Sequence, residues 1–202
     1  MTVAVLTVDQ RSSRSGPDLV PATIEALAGA DLLRPFERTA GDEFQGVLAE
    51  PAALPRVVER LLREDAWNIG IGVGAVDEPL PASARAGSGA AYLHARAAVT
   101  AAKNSPWHLR VGGDDPGVRA LETTLWLWAA VLSRRSQRGW EVADLVDQDL
   151  SYEETGRRLG ISQSAVSQRA QAAGIVEGRR ARELVTELTA SLLGRTTTAE
   201  ED

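Results

Sequence analysis

The apolar run TVAVLTV ends in an acid, Asp9, and a second acidic pair, Asp42 and Glu43, sits in the hydrophilic stretch RTAGDEFQG. On neighbouring strands of one sheet these carboxylates would meet at one edge, the donor set that a magnesium ion carrying phosphates requires. Between them lies QRSSRSG. Gln10, the hydroxyls of Ser12 and Ser13, the guanidinium groups of Arg11 and Arg14, and the loop's backbone N–H groups all suit phosphate oxygens. Taken singly, acids at a turn only solvate it, and the alternatives of turn, metal site and vestige of one stay open on these residues alone.

A second constellation occupies residues 151–174, SYEETGRRLGISQSAVSQRAQAAG. Ser151 and Glu154 form a capping-box pattern that opens a helix. Gly156 lets a second helix cross closely, and Gly160 supplies a left-handed turn that ends the first helix. Leu159, Ile161 and Val166 fill the small core between the two. Ser162 caps the second helix, whose exposed positions are Gln163, Ser164, Ser167, Gln168 and Arg169, side chains suited to phosphates and base edges. The pattern matches a DNA-binding helix-turn-helix and resembles those of sigma-factor-like and other bacterial regulators. The other use of such a helical hairpin is a bare dimer contact. From Ser151 to Arg182 six arginines (Arg157, Arg158, Arg169, Arg179, Arg180, Arg182) face three glutamates. That modest basic surplus predicts a dimer reading two half-sites.

These groups need elements to position them. Residues 2–8 predict a buried strand. Helical spacing predicts helices over 17–33 and 51–64. RTAGDEFQGV predicts a hairpin with Gly41 and Asp42 at its tip. WNIGIGVGAV predicts a strand against which something packs or binds closely. An Ala-rich helix over 87–103 and a short strand, WHLRV, follow. The order β-α-β-β-α-β-α-β is that of a ferredoxin-like or palm-type sheet with helices on one face. From Val118 the chain reads as helices only, over 119–138, about 140–147, two around Gly160, and 179–193. Trp126, Trp128 and Trp140 are expected in the core of that helical part. The expected fold is therefore α+β: a palm-type domain at 1–110, a linker at 111–118, an all-α DNA-binding domain at 119–194, and a disordered tail at 195–202.

Composition limits the chemistry. Among 202 residues there is no cysteine, which excludes disulfides and thiolate metal sites, and the two histidines are too few for zinc. The absence of thiols and of an export signal predicts a cytoplasmic protein, and no apolar run of about 18 residues predicts membrane contact. The net charge of −6 gives no overall attraction to DNA, so binding would depend on a local patch.

VDQRSSR, RTAGDEFQG, NIGIGVG and SGAAYLHARAAVTAAKN, in this order, resemble the SatD-like family over about residues 1–110. More distantly they resemble the palm domains of GGDEF diguanylate cyclases and class III nucleotidyl cyclases. The resemblance implies divalent metal, Mg2+ with a nucleotide, held by Asp9 with Asp42 (cyclase-like) or Glu43 (GGDEF-like). It implies a phosphate contact from Lys103 and nucleotide contacts from Arg38, Gly41 and Arg96. The chain departs from the pattern at Ala40, where a GGDEF glycine stands, and at Arg38, which replaces a purine-selecting lysine. Tyr92 stands where a cyclase has asparagine, and Arg85 lies near the place of the base-reading acid. The site these residues imply holds a nucleotide and is poorly equipped to turn it over. The expected function is a dimeric regulator of double-stranded DNA modulated by a nucleotide. The alternatives are a nucleotidyl cyclase or related transferase using Mg2+ at Asp9 and Asp42, and a ligand-free dimeric DNA-binding protein.

Overall fold

The computed structural model describes residues 1–13 and 15–194; Arg14 and the tail at 195–202 lie outside the described residues. The described chain is α+β, with strands β1 Thr2–Gln10, β2 Arg34–Arg38, β3 Glu43–Leu48, β4 Trp67–Ala75 and β5 Leu109–Gly112. The helices are α1 Val20–Leu27, α2 Ala53–Glu64, α3 Ala90–Ala102, α4 Val118–Leu132, α5 Gln137–Val146, α6 Tyr152–Leu159, α7 Gln163–Ala172 and α8 Ile175–Gly194. The strands form one sheet in the order β2-β3-β1-β4-β5, antiparallel except for the β4–β5 pair.

Alternation along β1 divides the sheet's two faces. Ala4, Leu6 and Val8 join Ile69, Ile71 and Val73 of β4 in a core closed by α1, α2, α4 and α8. Val3 and Val5 face the other way and pack with Ala91, Tyr92 and Ala95 of α3. Helices therefore cover both faces, and the expectation of one covered face is corrected. The crossover from β4 to the parallel β5 carries α3 over the side that α1 and α2 leave open.

The alanines of α3 and the glycines of β4 explain one another. A Cβ built on Gly70 would lie 2.2 Å from the Val99 nitrogen, and one on Gly72 would lie 2.1 Å from the Ala91 carbonyl oxygen. Gly70, Gly72 and Gly74 thus let the helix backbone rest on the strand, and the close partner expected from WNIGIGVGAV is this helix.

The helical half does not keep its core to itself. Leu121, Leu125, Trp128 and Leu132 of α4 and Val185 and Leu192 of α8 belong to the same buried cluster as the strands. Trp128 is buried there, and the Trp126 indole N–H donates to the Leu109 carbonyl at 2.9 Å. The stretch expected as a linker at 111–118 instead completes β5 and opens α4. The expected helix over 119–138 also breaks, because Ser136 caps a new helix by accepting the Gly139 N–H. The expected helix over 17–33 ends at Leu27, shortly before Gly29. β5 begins only at Leu109, because Trp107 and His108 take φ of 58° and 50°.

A smaller cluster of Val142, Val146, Val166, Ala170 and Ile175 joins α5, α7 and the start of α8, with Tyr152 and Leu159 of α6 packed against it. The Ser151–Glu154 capping box is complete, Gly160 takes φ 66°, and Ser162 accepts the Ala165 N–H. A Cβ on Gly156 would come 2.7 Å from the Ile161 carbonyl oxygen, so glycine is what permits the tight turn between α6 and α7. Among the described residues no helix is long and apolar enough to cross a membrane.

Candidate functional site

Register places Glu43, Asp9 and Asn68 side by side on β3, β1 and β4, on the face that α3 covers. Asp9 Oδ2 accepts from the Asn68 amide at 2.9 Å and lies 3.4 Å from Lys103 Nζ at the end of α3. Glu43 accepts from Thr39 Oγ1 at 2.7 Å and from Arg96 at 2.6 Å. Each carboxylate of the row therefore has its own cation.

Asp42 turns the other way, at the hairpin tip, where Gly41 has φ 58° and the Asp42 carbonyl accepts the Gln10 N–H. Its carboxylate accepts from Ser13 Oγ. A concavity opens here with two lobes of about 430 and 540 Å³, both lined by Asp9, Gln10, Ser13, Asp42 and Lys103. That size suits a small-molecule ligand. The first lobe adds Arg11, Ser12, Asn68 and His108; the second adds Asp18, Arg38 and Gly41.

The structure thus gathers Asp9, Gln10, Arg11, Ser12, Ser13, Arg38, Gly41, Asp42 and Lys103 around one cleft. Glu43 and Arg96 are paired with each other and do not line it. Among the described residues no group of three or more His, Asp or Glu side chains is arranged to hold a metal. Arg14 is outside the described residues. Gln10 is buried and already committed: its amide donates to the Pro17 carbonyl and accepts the Leu19 N–H, which pins the 11–19 loop. Arg11 is tied to Asp65, and Arg38 grips both oxygens of Asp18 at 2.6 and 2.5 Å. Hydrogen bonding to Arg38 holds the Asp18 carboxyl below the usual carboxylate range.

Three lining residues were not singled out in the sequence: Asp18, His108 and Asn68, the last although it opens the NIGIGVG segment. The Asn68 Oδ1 and the His108 Nδ1 are buried without a hydrogen-bond partner. The register opposite Asp9 is the signal that could have marked Asn68. Tyr92 lies elsewhere, buried at the start of α3 beside Gly87, where desolvation raises its phenol above the ordinary value. His94 pairs with Asp114 at 3.3 Å, away from the cleft.

On the second constellation, Gln163, Ser164, Ser167 and Gln168 are exposed along α7, and Arg169 is half-buried at its later turns. Ser162 is exposed, its hydroxyl 2.9 Å from that of Ser164, and Arg157 pairs with Glu153 along α6. The basic surplus expected around this unit is smaller at the surface than in the sequence. Arg182 pairs with Glu59 and Asp147, Arg179 bonds the Val146 carbonyl, and Arg180 pairs with Glu183. Arg179 and Arg182 reach from α8 to the end of α5 and, for Arg182, to α2, so their charge is used within the fold; Arg180 stays exposed and pairs along its own helix.

Comparison of the chain with family models, curated proteins and solved structures gives no match.

Proposed function

We propose that the protein is a DNA-binding regulator in which α6 and α7 form a helix-turn-helix and the sheet-end cleft binds a nucleotide. The single observation that carries the DNA reading is the α6–α7 turn: a complete capping box, a left-handed Gly160, a Ser162 cap, and a second helix that presents short polar side chains. A helix of this kind enters the major groove with its first turns against base edges. A second copy of the chain would supply the other half-site.

On the sheet side, the strand order β2-β3-β1-β4, with α1 and α2 on one face, supports a ferredoxin-like, palm-type assignment. The cleft carries three carboxylates (Asp9, Asp18, Asp42) and three cations (Arg11, Arg38, Lys103), so it has no net attraction for a bare polyphosphate. Asp9 and Asp42 offer two hard oxygen donors on one cleft. They fit an Mg2+ that arrives coordinated by phosphates and not a cage built by protein alone. Bound there, the ion would neutralise the phosphates beside these acids, while Lys103, Ser12 and Ser13 hold phosphate oxygens. Arg96 is engaged by Glu43 and takes no part, which favours holding the nucleotide over turning it over.

For DNA, Gln163→Ala with Arg169→Ala is expected to weaken binding to a duplex selected from a random pool by about 1–3 kcal/mol per lost base contact. Fluorescence anisotropy measures it, with thermal melting as the control for folding. Failure to select any sequence, or unchanged affinity in a folded variant, would remove the helix-turn-helix assignment.

A further inference from the structure

A third concavity, about 390 Å³, adjoins the first lobe of the cleft and shares Arg11 and His108 with it. Its walls differ in chemistry. Leu62, Ala129 and Leu132 are apolar, Trp107 and Trp140 are aromatic, and Arg63, Asp65 and Ser133 add polar groups. The two shared residues each hold a nitrogen, Arg11 Nε and His108 Nδ1, that is buried without a hydrogen-bond partner among the described residues. Arg11 is held by its Nη2 on Asp65, which leaves the Nε–H as the unused donor. Unpaired buried polar atoms are costly unless a ligand or water satisfies them.

The chain segment between the two concavities is itself unusual. Trp107 and His108 both adopt positive φ, and the Trp107 ring remains substantially exposed although it is large and apolar. Two consecutive non-glycine residues in this region are uncommon, and such backbone conformations cluster at ligand-binding sites. Trp140 has both faces occupied, by the guanidinium groups of Arg63 at 4.5 Å and Arg135 at 4.7 Å. Among the described residues Trp107 has no such ring contact, and its ring is 39% exposed for stacking.

We infer that this chamber receives the heteroaromatic base of the nucleotide, stacked on Trp107 and flanked by Arg11 and His108, an inference that rests on the adjoining cleft being a phosphate site. A planar base matches the combination of an aromatic wall, aliphatic walls and a few convergent polar atoms. A polyphosphate alone would leave the aromatic and apolar walls unused. The placement also gives the ligand a route to α7. Ser133 and Trp140 flank Arg135, whose Nε donates to the Ala173 carbonyl at the end of α7. A base in the chamber touches the corner that carries the recognition helix.

The experiment is calorimetric titration of the full chain, with Mg2+, against tripolyphosphate and against ATP, GTP, CTP and UTP. At least one nucleotide is expected to bind tenfold or more tighter than tripolyphosphate. Trp107→Ala should reduce that affinity to the tripolyphosphate level without changing tripolyphosphate binding, and Trp107→Phe should retain most of it. Ser133→Trp, at an exposed position that narrows the chamber, should act as Trp107→Ala does and stands in if that variant misfolds. Tripolyphosphate and all four nucleotides binding alike would overturn the base chamber and leave the phosphate site intact. Nucleotide affinity unaffected by both chamber variants would do the same. No binding of tripolyphosphate or any nucleotide would overturn both.

Discussion

Glu59→Ala is expected to destabilise the protein by about 3–5 kcal/mol, the cost of leaving a buried charge without its partner. Glu59, on α2, accepts from Arg135 at 3.1 Å and from Arg182 at 2.5 Å. The Arg135 side chain is only 3% exposed, so no water replaces the lost carboxylate. Burial already disfavours its charged form, and Glu59 is the first of the groups that oppose this. Glycine at 178 makes room for the guanidinium, since a Cβ there would come 2.4 Å from Arg135 Nη2. Glu59→Gln keeps an acceptor and should lose less. Urea denaturation measures both. A loss below about 1 kcal/mol for Glu59→Ala would mean that the pair is a surface contact of ordinary weight. The network matters for function because α2 lies against the sheet, whereas Arg135 bonds the end of α7. It joins the cleft's half of the molecule to the helix proposed to read DNA.

Gly72→Ala is the second large effect. The new methyl would lie 2.1 Å from the Ala91 oxygen and 2.2 Å from the Ala95 nitrogen. Both are backbone atoms of α3 and no rotamer change relieves them, so the helix must lift from the sheet. Overpacking of this kind costs about 1–3 kcal/mol and occasionally more, and contact with fixed backbone puts Gly72→Ala at about 3 kcal/mol or above. Gly74→Ala, with 3.1 Å to the nearest atom, should cost distinctly less. The difference in urea midpoint between the two variants checks the packing account. A Gly72→Ala protein of normal stability would show that these glycines serve something other than the approach of α3.

The sequence shows its local devices well and its long-range packing poorly. The β1 strand, the hairpin at Gly41–Asp42 and the caps at Ser151, Gly160 and Ser162 were legible because each depends on residues within a few positions. Ser136 was equally local but fell inside an apolar periodicity that ran on through 138, and the longer pattern hid the break. The packing of α4 and α8 on the sheet was not legible, since a broad apolar face does not say which element it meets. The same limit applies to charge. Arg179, Arg180 and Arg182 count as basic surface in the sequence, and only the fold shows them paired within the protein. In the candidate site, Asp9 and Asp42 were marked by strand ends and a turn. Glu43, one position on, begins β3 on the same face as Asp9 and is held by Thr39 and Arg96, whereas Asp42 at the turn lines the cleft. Asn68, though it opens NIGIGVG, and His108 were not singled out because their place depends on register and on a backbone turn at Trp107–His108.

The most direct measurement is a titration of a selected DNA duplex with the protein, with and without Mg2+ and ATP, GTP or a cyclic dinucleotide. Coupling between two sites is reciprocal and typically amounts to about 1–3 kcal/mol. At least one nucleotide is therefore expected to shift DNA affinity by about fivefold or more, and the DNA to shift that nucleotide's affinity by the same factor. DNA affinity that no nucleotide moves would contradict the account.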